Sequence, residues 1–169
     1  MSLAPSASVP GSIELPGAVC SISNELDSIE TIMKQVADDR CGASTIFIGT
    51  TRDSFQGRAV NKLEYQAYTK LALNTFTKIV SEAQNNIFRS EHQVPSQEKP
   101  LLRVALHHRI GTVKIGEPSI VIAVSSPHRK EAFLACEFIL EEVKRKAQIW
   151  KREYYEGEDE SEAEWKANA

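Results

Sequence analysis

The chain has 169 residues, a hydrophobic content of 41% and a formal net charge of −3, because 23 Asp and Glu residues outweigh 20 Lys and Arg residues. This length and composition fit one globular domain, and the mild acidity argues against nucleic-acid binding as the main role. No run of eighteen apolar residues occurs, so no membrane span is expected.

The two ends of the chain differ in composition from the rest. Residues 1–16 are rich in small residues, Pro and Ser, lack the basic and apolar regions of a secretory signal, and are predicted to be disordered. Residues 17–155 are predicted to form the single folded domain. Residues 156–169 form an acidic tail that is expected to be mobile as far as Trp165.

Hydrophobic periodicity predicts six strands and three helices within this domain. The strands are predicted over 17–22, 42–49, 60–68, 101–111, 119–126 and 149–155, and the helices over about 25–38, 70–88 and 127–147. Segment 119–126 is the most hydrophobic and is expected to lie centrally. The polar segment 89–100 is predicted to be a surface loop, and Gly111 and Gly116 to bracket a turn or short strand. Because several strands follow one another without a helix between them, the predicted fold class is α+β, with helices packed on a mixed, mainly antiparallel sheet.

The cysteines and histidines show no pattern typical of a metal site. Cys20, Cys41 and Cys136 are isolated, which indicates reduced cysteines in a cytosolic protein, and Cys136 is predicted to be a core residue rather than a nucleophile. His107 and His108 are neighbours in a predicted strand, so one is expected to face inward and one outward. A satisfied core or surface role is favoured for them over metal binding.

A basic segment stands out from the acidic background. Residues 127–152 contain seven Lys and Arg residues and four Glu residues, which indicates a local anion site. Ser125 or Ser126 is predicted to cap the helix that follows, which places His128 and Arg129 at its N-terminus. The alternatives for this pair are a solvated surface charge and a phosphate or carboxylate pocket, in which the guanidinium group makes bidentate contacts.

The length of this helix limits how its cations can combine. Lys144 follows His128 by sixteen residues, which corresponds to about 24 Å along a straight helix. Either the two ends of the helix serve two subsites, or a second copy of the chain brings its helix N-terminus to the C-terminal end of the first. The second alternative predicts a homodimer with shared sites.

Arg52 is a further candidate, since it follows a predicted strand, and functional residues collect in such loops. A solvated loop arginine is the alternative. The sequence lacks the GxSxG, GxxxxGK[ST], HExxH and GxGxxG motifs. If the protein is an enzyme, its working groups are therefore expected to be Lys, Arg and His residues that act on an anionic substrate.

Three segments, GASTIFIGTTRD, HHRIGTVKIGEPSIVIAVSSPHRKEAF and IWKRE, resemble the large, catalytic subunit of molybdopterin synthase. The resemblance runs from about Gly42 to Glu153, with its pieces in the right order and at the right spacing. It implies an α/β hammerhead fold and identifies residues 17–155 as a catalytic domain.

The resemblance also implies an activity and an assembly. Members of this family form a homodimer within a heterotetramer, in which each large subunit binds a small ubiquitin-like sulfur-carrier subunit that ends in Gly-Gly. The C-terminal thiocarboxylate of that partner donates sulfur to cyclic pyranopterin monophosphate, and two transfers build the dithiolene of molybdopterin. Sulfur insertion from a thiocarboxylate needs no metal ion, and no other cofactor is expected. The composition and the hydropathy already argue against a nucleic-acid or membrane partner.

Site residues follow from the resemblance by position. Lys144 is implied as a general base or acid with a lowered pKa, and Lys151 as a cation that stabilises negative charge on the intermediate. The substrate-binding residues implied are Arg52, His128, Arg129, Lys144, Lys151, Arg152 and Glu153. The family places the His-Arg pair across the dimer from the lysines, in agreement with the length of the helix.

Two positions depart from the family pattern. Gln148 stands where a proline is common, and Thr50 stands where bacterial members often have a basic residue. A non-catalytic scaffold that binds the partner's tail is the competing hypothesis. RNA binding is a weaker one, because the basic segment lacks interleaved aromatic residues and the chain is acidic.

Overall fold

The structure is a computed structural model, and it describes residues 5–87 and 101–169. The strands in these ranges are β1 (Gly11–Leu15), β2 (Ala18–Ser23), β3 (Ala43–Thr50), β4 (Ser54–Phe55), β5 (Arg58–Ala67), β6 (Arg103–Arg109), β7 (Gly111–Lys114), β8 (Pro118–Ser126), β9 (Ile149–Tyr155) and β10 (Lys166–Ala167). The α-helices are α1 (Ile29–Gln35), α2 (Thr69–Asn86) and α3 (Arg129–Lys146), and short 3-10 helices cover Pro5–Ala7 and Glu160–Glu162. The predicted loop 89–100 falls wholly outside the described residues.

Two sheets organise the fold. The first has the strand order β1-β2-β6-β8-β3, and the second has the order β10-β9-β5-β4, with β7 also paired to β5. The pair β2–β6 is parallel, and the other strand pairs of the described residues are antiparallel. The predicted α+β class with a mixed, mainly antiparallel sheet is therefore confirmed.

Helices cover both faces of the first sheet. Ile122 and Val124 of β8 belong to the large core formed with α2 and α3, whereas Val121 and Ala123 pack with Ile32 of α1 on the opposite face. This two-sided burial explains why β8 is a continuous apolar run rather than an alternating one. β8 is an internal strand as expected, with β6 at the centre of the sheet.

The same arrangement corrects the expectation for the two adjacent histidines. Both are buried, and neither faces solvent, because each face of β6 is covered. His107 is hydrogen-bonded to Ser21 and Gln35, at 2.5 and 2.7 Å. The prediction of a satisfied core or surface role is thus confirmed, and for both histidines the role is in the core.

Both ends of the chain are more ordered than their composition indicates. Strand β1 lies within residues 1–16, which were predicted to be disordered, and pairs with β2 over five residues of each strand. In the tail, β10 pairs with β9. Both contacts are pairings between backbone groups of two strands. The composition of a single segment therefore does not reveal them.

The long helix α3 begins differently from its prediction. His128 occupies the N-cap position, and no side-chain hydrogen bond caps the helix. The hydroxyl of Ser125 instead donates to the carbonyl of Val36. Ser125 is therefore used to join β8 to the end of α1. Among the described residues, no helix is both long and apolar enough to cross a membrane.

Candidate functional site

A cavity of about 160 Å³ opens between the two sheets, next to the C-terminal end of α3. The end of β3 and the loop after it form one wall, and β5 and β9 form the other. Its polar and charged lining residues are Thr50, Thr51, Arg52, Ser54, Tyr65, Ser119, Lys144, Lys151 and Glu153. Four of the residues predicted from sequence, Arg52, Lys144, Lys151 and Glu153, are thus brought together.

Lys144 is a partly buried cation of this cavity. It lies on the last turns of α3, and its Nζ donates a hydrogen bond to Asn168 Oδ1 at 3.1 Å. Burial lowers the pKa of the Lys144 ammonium group, and the positive charge of Lys151 lowers it further. A lysine with a lowered pKa is suited to accept a proton from a substrate and to return it.

Lys151 and Glu153 lie on the same face of β9, because side chains two residues apart in a strand point the same way. The Lys151 Nζ is 3.6 Å from Glu153 Oε1. Glu153 also accepts a hydrogen bond from the hydroxyl of Tyr155. Burial, together with this hydrogen bond, raises the pKa of Tyr155 to about 12, so the phenol keeps its proton at neutral pH. Glu153 is therefore held from both sides and fixes the position of Lys151.

Arg52 and Thr51 approach the cavity from the loop after β3. Arg52 is exposed, and its guanidinium carbon lies 5.7 Å from the centre of the Phe55 ring. Thr51 is buried, and its hydroxyl has no hydrogen-bond partner among the described residues. The exposed guanidinium group of Arg52 is suited to bind an anionic group such as a phosphate.

Arg152 lies apart from the other predicted residues. It points to the opposite face of β9, where it donates a hydrogen bond to Glu64 at 3.1 Å and lies over the ring of Trp165 at 4.6 Å. The alternation of a strand carries this information, since Lys151 and Glu153 share one face and Arg152 must take the other. The cavity wall contains the first two and not Arg152.

His128 and Arg129 are also outside this cavity, at the other end of α3. The eighteen residues of the helix separate them from Lys144 by about 22 Å or more along the axis. Arg129 is exposed and His128 is half-buried. One copy of the chain therefore cannot bring this pair to the lysines.

The three cysteines are free, as the sequence indicates. Burial raises the pKa of the Cys20 thiol to about 12 and that of Cys136 to about 11. Because the thiolate is the reactive form, neither thiol is activated as a nucleophile. The predicted core role of Cys136 is confirmed by its burial.

Three residues near the site were not predicted from the sequence as site residues. Tyr65 and Ser119 line the cavity, and Asn168 contacts Lys144. Tyr65 shares a register position with Lys151 in the β5–β9 pair, so a prediction of that pairing would have found it. No local sequence signal points to Asn168, because its contacts are made across the fold.

Comparison with known proteins gives a consistent family. The family described as MoaE protein matches residues 22–146. The molybdopterin synthase catalytic subunit 2 of Aedes aegypti is 42% identical over 133 residues, which cover 79% of this chain and 78% of that protein. The catalytic subunit of Drosophila melanogaster is 41% identical over 145 residues, which cover 86% of this chain and 36% of that protein. The chain thus spans about a third of the length of the Drosophila relatives it matches.

Solved structures agree in fold. Molybdopterin synthase from Staphylococcus aureus superposes with a TM-score of 0.72 at 30% identity, covering 86% of this chain and 94% of that one. A complex of subunits 1 and 2 of molybdopterin-converting factor from Helicobacter pylori gives a TM-score of 0.59 at 21% identity, covering 77% of each chain, and supports the fold alone. From the family match over most of its length and from these relatives, the chain belongs to the MoaE protein family.

Proposed function

We propose that this protein is the catalytic subunit of a molybdopterin synthase. In this reaction, sulfur passes from the C-terminal thiocarboxylate of a small ubiquitin-like partner to cyclic pyranopterin monophosphate. The names of the relatives and the family support this activity. The observation that carries it in this chain is the convergence of Arg52, Lys144 and Lys151 on one cavity.

The cavity's residues suit an anionic substrate that gains further charge during reaction. The thiocarboxylate sulfur is the nucleophile, so no protein thiol is required. Lys144 transfers a proton at the reacting carbon framework, and Lys151, held by Glu153, stabilises the developing negative charge. Arg52 binds the phosphate or the partner's terminal carboxylate.

The rest of the cation set requires a second copy of the chain. We propose a homodimer within a heterotetramer, in which His128 and Arg129 of one copy complete the cavity of the other. The exposed Phe133 and Leu134 of α3, 62% and 44% exposed, support this assembly because they offer an apolar surface close to that pair. We propose the cytosol as the location, in accord with three free cysteines.

This proposal differs from the sequence-based expectations in the role of Arg152 and in the extent of the catalytic unit. Arg152, implied as a substrate-binding residue, is better suited to anchor the tail through Trp165, since it faces away from the cavity. The catalytic unit comprises residues 17–155 together with the N-terminal strand and the tail that pack on it.

Replacement of Lys144 tests the assignment. In Lys144→Ala, we expect the rate of molybdopterin formation with thiocarboxylated partner to fall by roughly a hundredfold or more, because the proton-transfer group is lost. Lys146→Ala is the matched control on the same helix, since Lys146 is exposed, lies outside the cavity and pairs with Glu142. Near-normal turnover in Lys144→Ala would remove Lys144 from the mechanism, whereas an unaltered protein that binds the partner's tail and forms no molybdopterin would favour the non-catalytic scaffold.

A further inference from the structure

The tail after β9 returns to the back of the catalytic lysine. β10 pairs with β9, with Lys166 opposite Lys151, and the backbone N–H of Asn168 donates to the carbonyl of Ile149 at 3.0 Å. These bonds bury Asn168, which is only 5% exposed although it is the last residue but one. The cavity wall includes Lys144 and not Asn168, so the amide contacts Lys144 without itself lining the cavity.

Asn168 connects Lys144 to a buried histidine. Its Oδ1 accepts from Lys144 Nζ at 3.1 Å, and its Nδ2 lies 3.1 Å from His108 Nε2. His108 Nδ1 lies 2.7 Å from the carbonyl of Arg109. A carbonyl only accepts, so Nδ1 carries the ring proton and Nε2 is left as an acceptor for the Asn168 amide.

This chain of hydrogen bonds requires both a donor and an acceptor at position 168. The ammonium form of Lys144 offers only donors, and His108 Nε2 offers only an acceptor. A group between them must therefore accept on one side and donate on the other, as a side-chain amide does. A carboxylate would face the lone pair of His108 Nε2 with its own lone pairs and would place a negative charge against Lys144.

We propose that Asn168 is a positioning residue for Lys144, which holds its amine toward the cavity without adding the charge that would keep it protonated. The contact is available in both forms of the lysine, because an amine still has N–H groups to donate. The catalytic part of this inference rests on the proposed function, whereas the effect on Lys144 itself does not.

Other charged groups also act on Lys144. From β9, Lys151 favours the neutral amine of Lys144. Glu153 of β9 and Arg52 of the loop after β3 are the other charged groups that line the same cavity. Tyr65 of β5 and His108 of β6 are neutral at pH 7, since burial raises the pKa of Tyr65 and lowers the pKa of His108 to about 4. A carboxylate introduced at position 168 would therefore be the second one near the two lysines, because Glu153 already lies beside Lys151.

Two substitutions at this position give opposite results. Asn168→Asp is expected to raise the pKa of Lys144, because a carboxylate stabilises the ammonium form. Asn168→Leu, which has a similar shape and no polar atoms, is expected to lower it, because the ammonium group loses its hydrogen-bond acceptor. Competitive acetylation with acetic anhydride across pH, read by mass spectrometry of the Lys144 peptide, measures this pKa without any catalytic activity. An unchanged pKa in both variants, or a change in the same direction, would overturn the proposal.

Turnover gives the second measurement. We expect kcat of Asn168→Asp to fall about tenfold at neutral pH, to recover as the pH is raised, and to change with little effect on KM. Glu158→Gln is the matched control, since it weakens the tail's ion pair with Arg58 and leaves the Lys144 contact in place. If this control reproduces the pH profile of Asn168→Asp, the tail acts by general packing and the positioning role is lost. If Lys144→Ala remains active, the proposed mechanism fails, while the acetylation result still decides the role of Asn168.

Discussion

The buried side chain of His108 makes the free energy of unfolding depend on pH. It has no exposed surface, and its ring lies edge-on to Tyr65 with the ring centres 5.1 Å apart. Both ring nitrogens have hydrogen-bond partners only when the ring is neutral with its proton on Nδ1. Protonation would therefore place an unpaired charge in the core, which is costly.

The pH dependence of unfolding tests this state. Burial lowers the pKa of His108 from 6.5 to about 4, so the unfolded chain binds the proton more readily than the folded one. The stabilisation that results is fully present above pH 6.5 and is lost as the pH falls toward 4. Between pH 7 and pH 5, we expect His108 to account for about 2 kcal/mol of the loss in the free energy of unfolding.

Urea unfolding at these two pH values measures the effect. In His108→Gln, the loss between pH 7 and pH 5 should be smaller by that amount, whatever the stability of the variant at pH 7. His128→Gln serves as the control, because His128 is only half-buried. An equal pH dependence in wild type and His108→Gln would contradict a neutral, buried His108.

At the scale of single elements, the end of β3 shapes the cavity. The register of the β3–β8 pair shifts between Gly49 and Thr50, which turns the chain toward the loop that carries Arg52. A Cβ atom at Gly49 would lie 2.7 Å from Ile120 Cγ2 and 3.3 Å from Phe47 Cε1. The absent side chain thus allows two apolar cavity residues to pack over this strand.

Gly49→Ala is expected to destabilise the protein by about 1–3 kcal/mol, because Ile120 must move to make room. Since Ile120 and Phe47 line the cavity, turnover should fall as well. A double-mutant cycle that combines Gly49→Ala with Ile120→Ala, measured by urea unfolding, tests whether a clash with Ile120 causes the loss of stability. The double variant should lose less stability than the sum of the single variants, and strict additivity would show that the two residues do not clash.

Periodicity predicted most of these elements because their core faces repeat within one segment. Strand β3, strand β8 and helix α3 lie within one to two residues of their predicted bounds. Helix α1 is shorter than predicted, since it begins only at the Ser28 N-cap. Local apolar spacing therefore identified elements better than it identified their ends.

The tail and the orientation of the cations were harder to predict for a different reason. The many acidic residues after Glu156 are typical of a solvated segment, yet Arg58 pairs with Glu158 and Lys62 with Glu160 at 3.2 Å. These partners come from β5, far away in sequence. The site was recognised through family resemblance, and the role of Asn168 became apparent only from the assembled fold.

At the scale of the whole molecule, α3 divides the predicted cations into two groups. Lys144 faces the cavity, and His128 and Arg129 lie at the far end of the same helix. Under the proposed homodimer, each complete site takes lysines from one copy and the His-Arg pair from the other. Such a site can be rebuilt from two different defective copies.

A mixed dimer tests this assembly. When His128→Ala and Lys144→Ala subunits are combined, one of the two sites in each mixed dimer should contain every cation, so activity should return to a fraction of that of wild type. Each variant alone should remain impaired. Mixing two Lys144→Ala preparations with different affinity tags is the matched control. Failure to recover activity in isolated mixed dimers would place both groups in a single copy or exclude one of them.

The pairing of β5 with β9 has a consequence for biosynthesis. Ala67 of β5 is opposite Ile149 of β9, which is far later in the sequence. The ribosome therefore releases β5 well before β9. Until β9 emerges, β5 has an unpaired edge, which is the kind of edge that recruits foreign strands. A nascent chain halted after α3 would therefore hold every strand of its first sheet but would lack the cavity wall formed by Lys151 and Glu153, and chaperones would be needed to shield that edge.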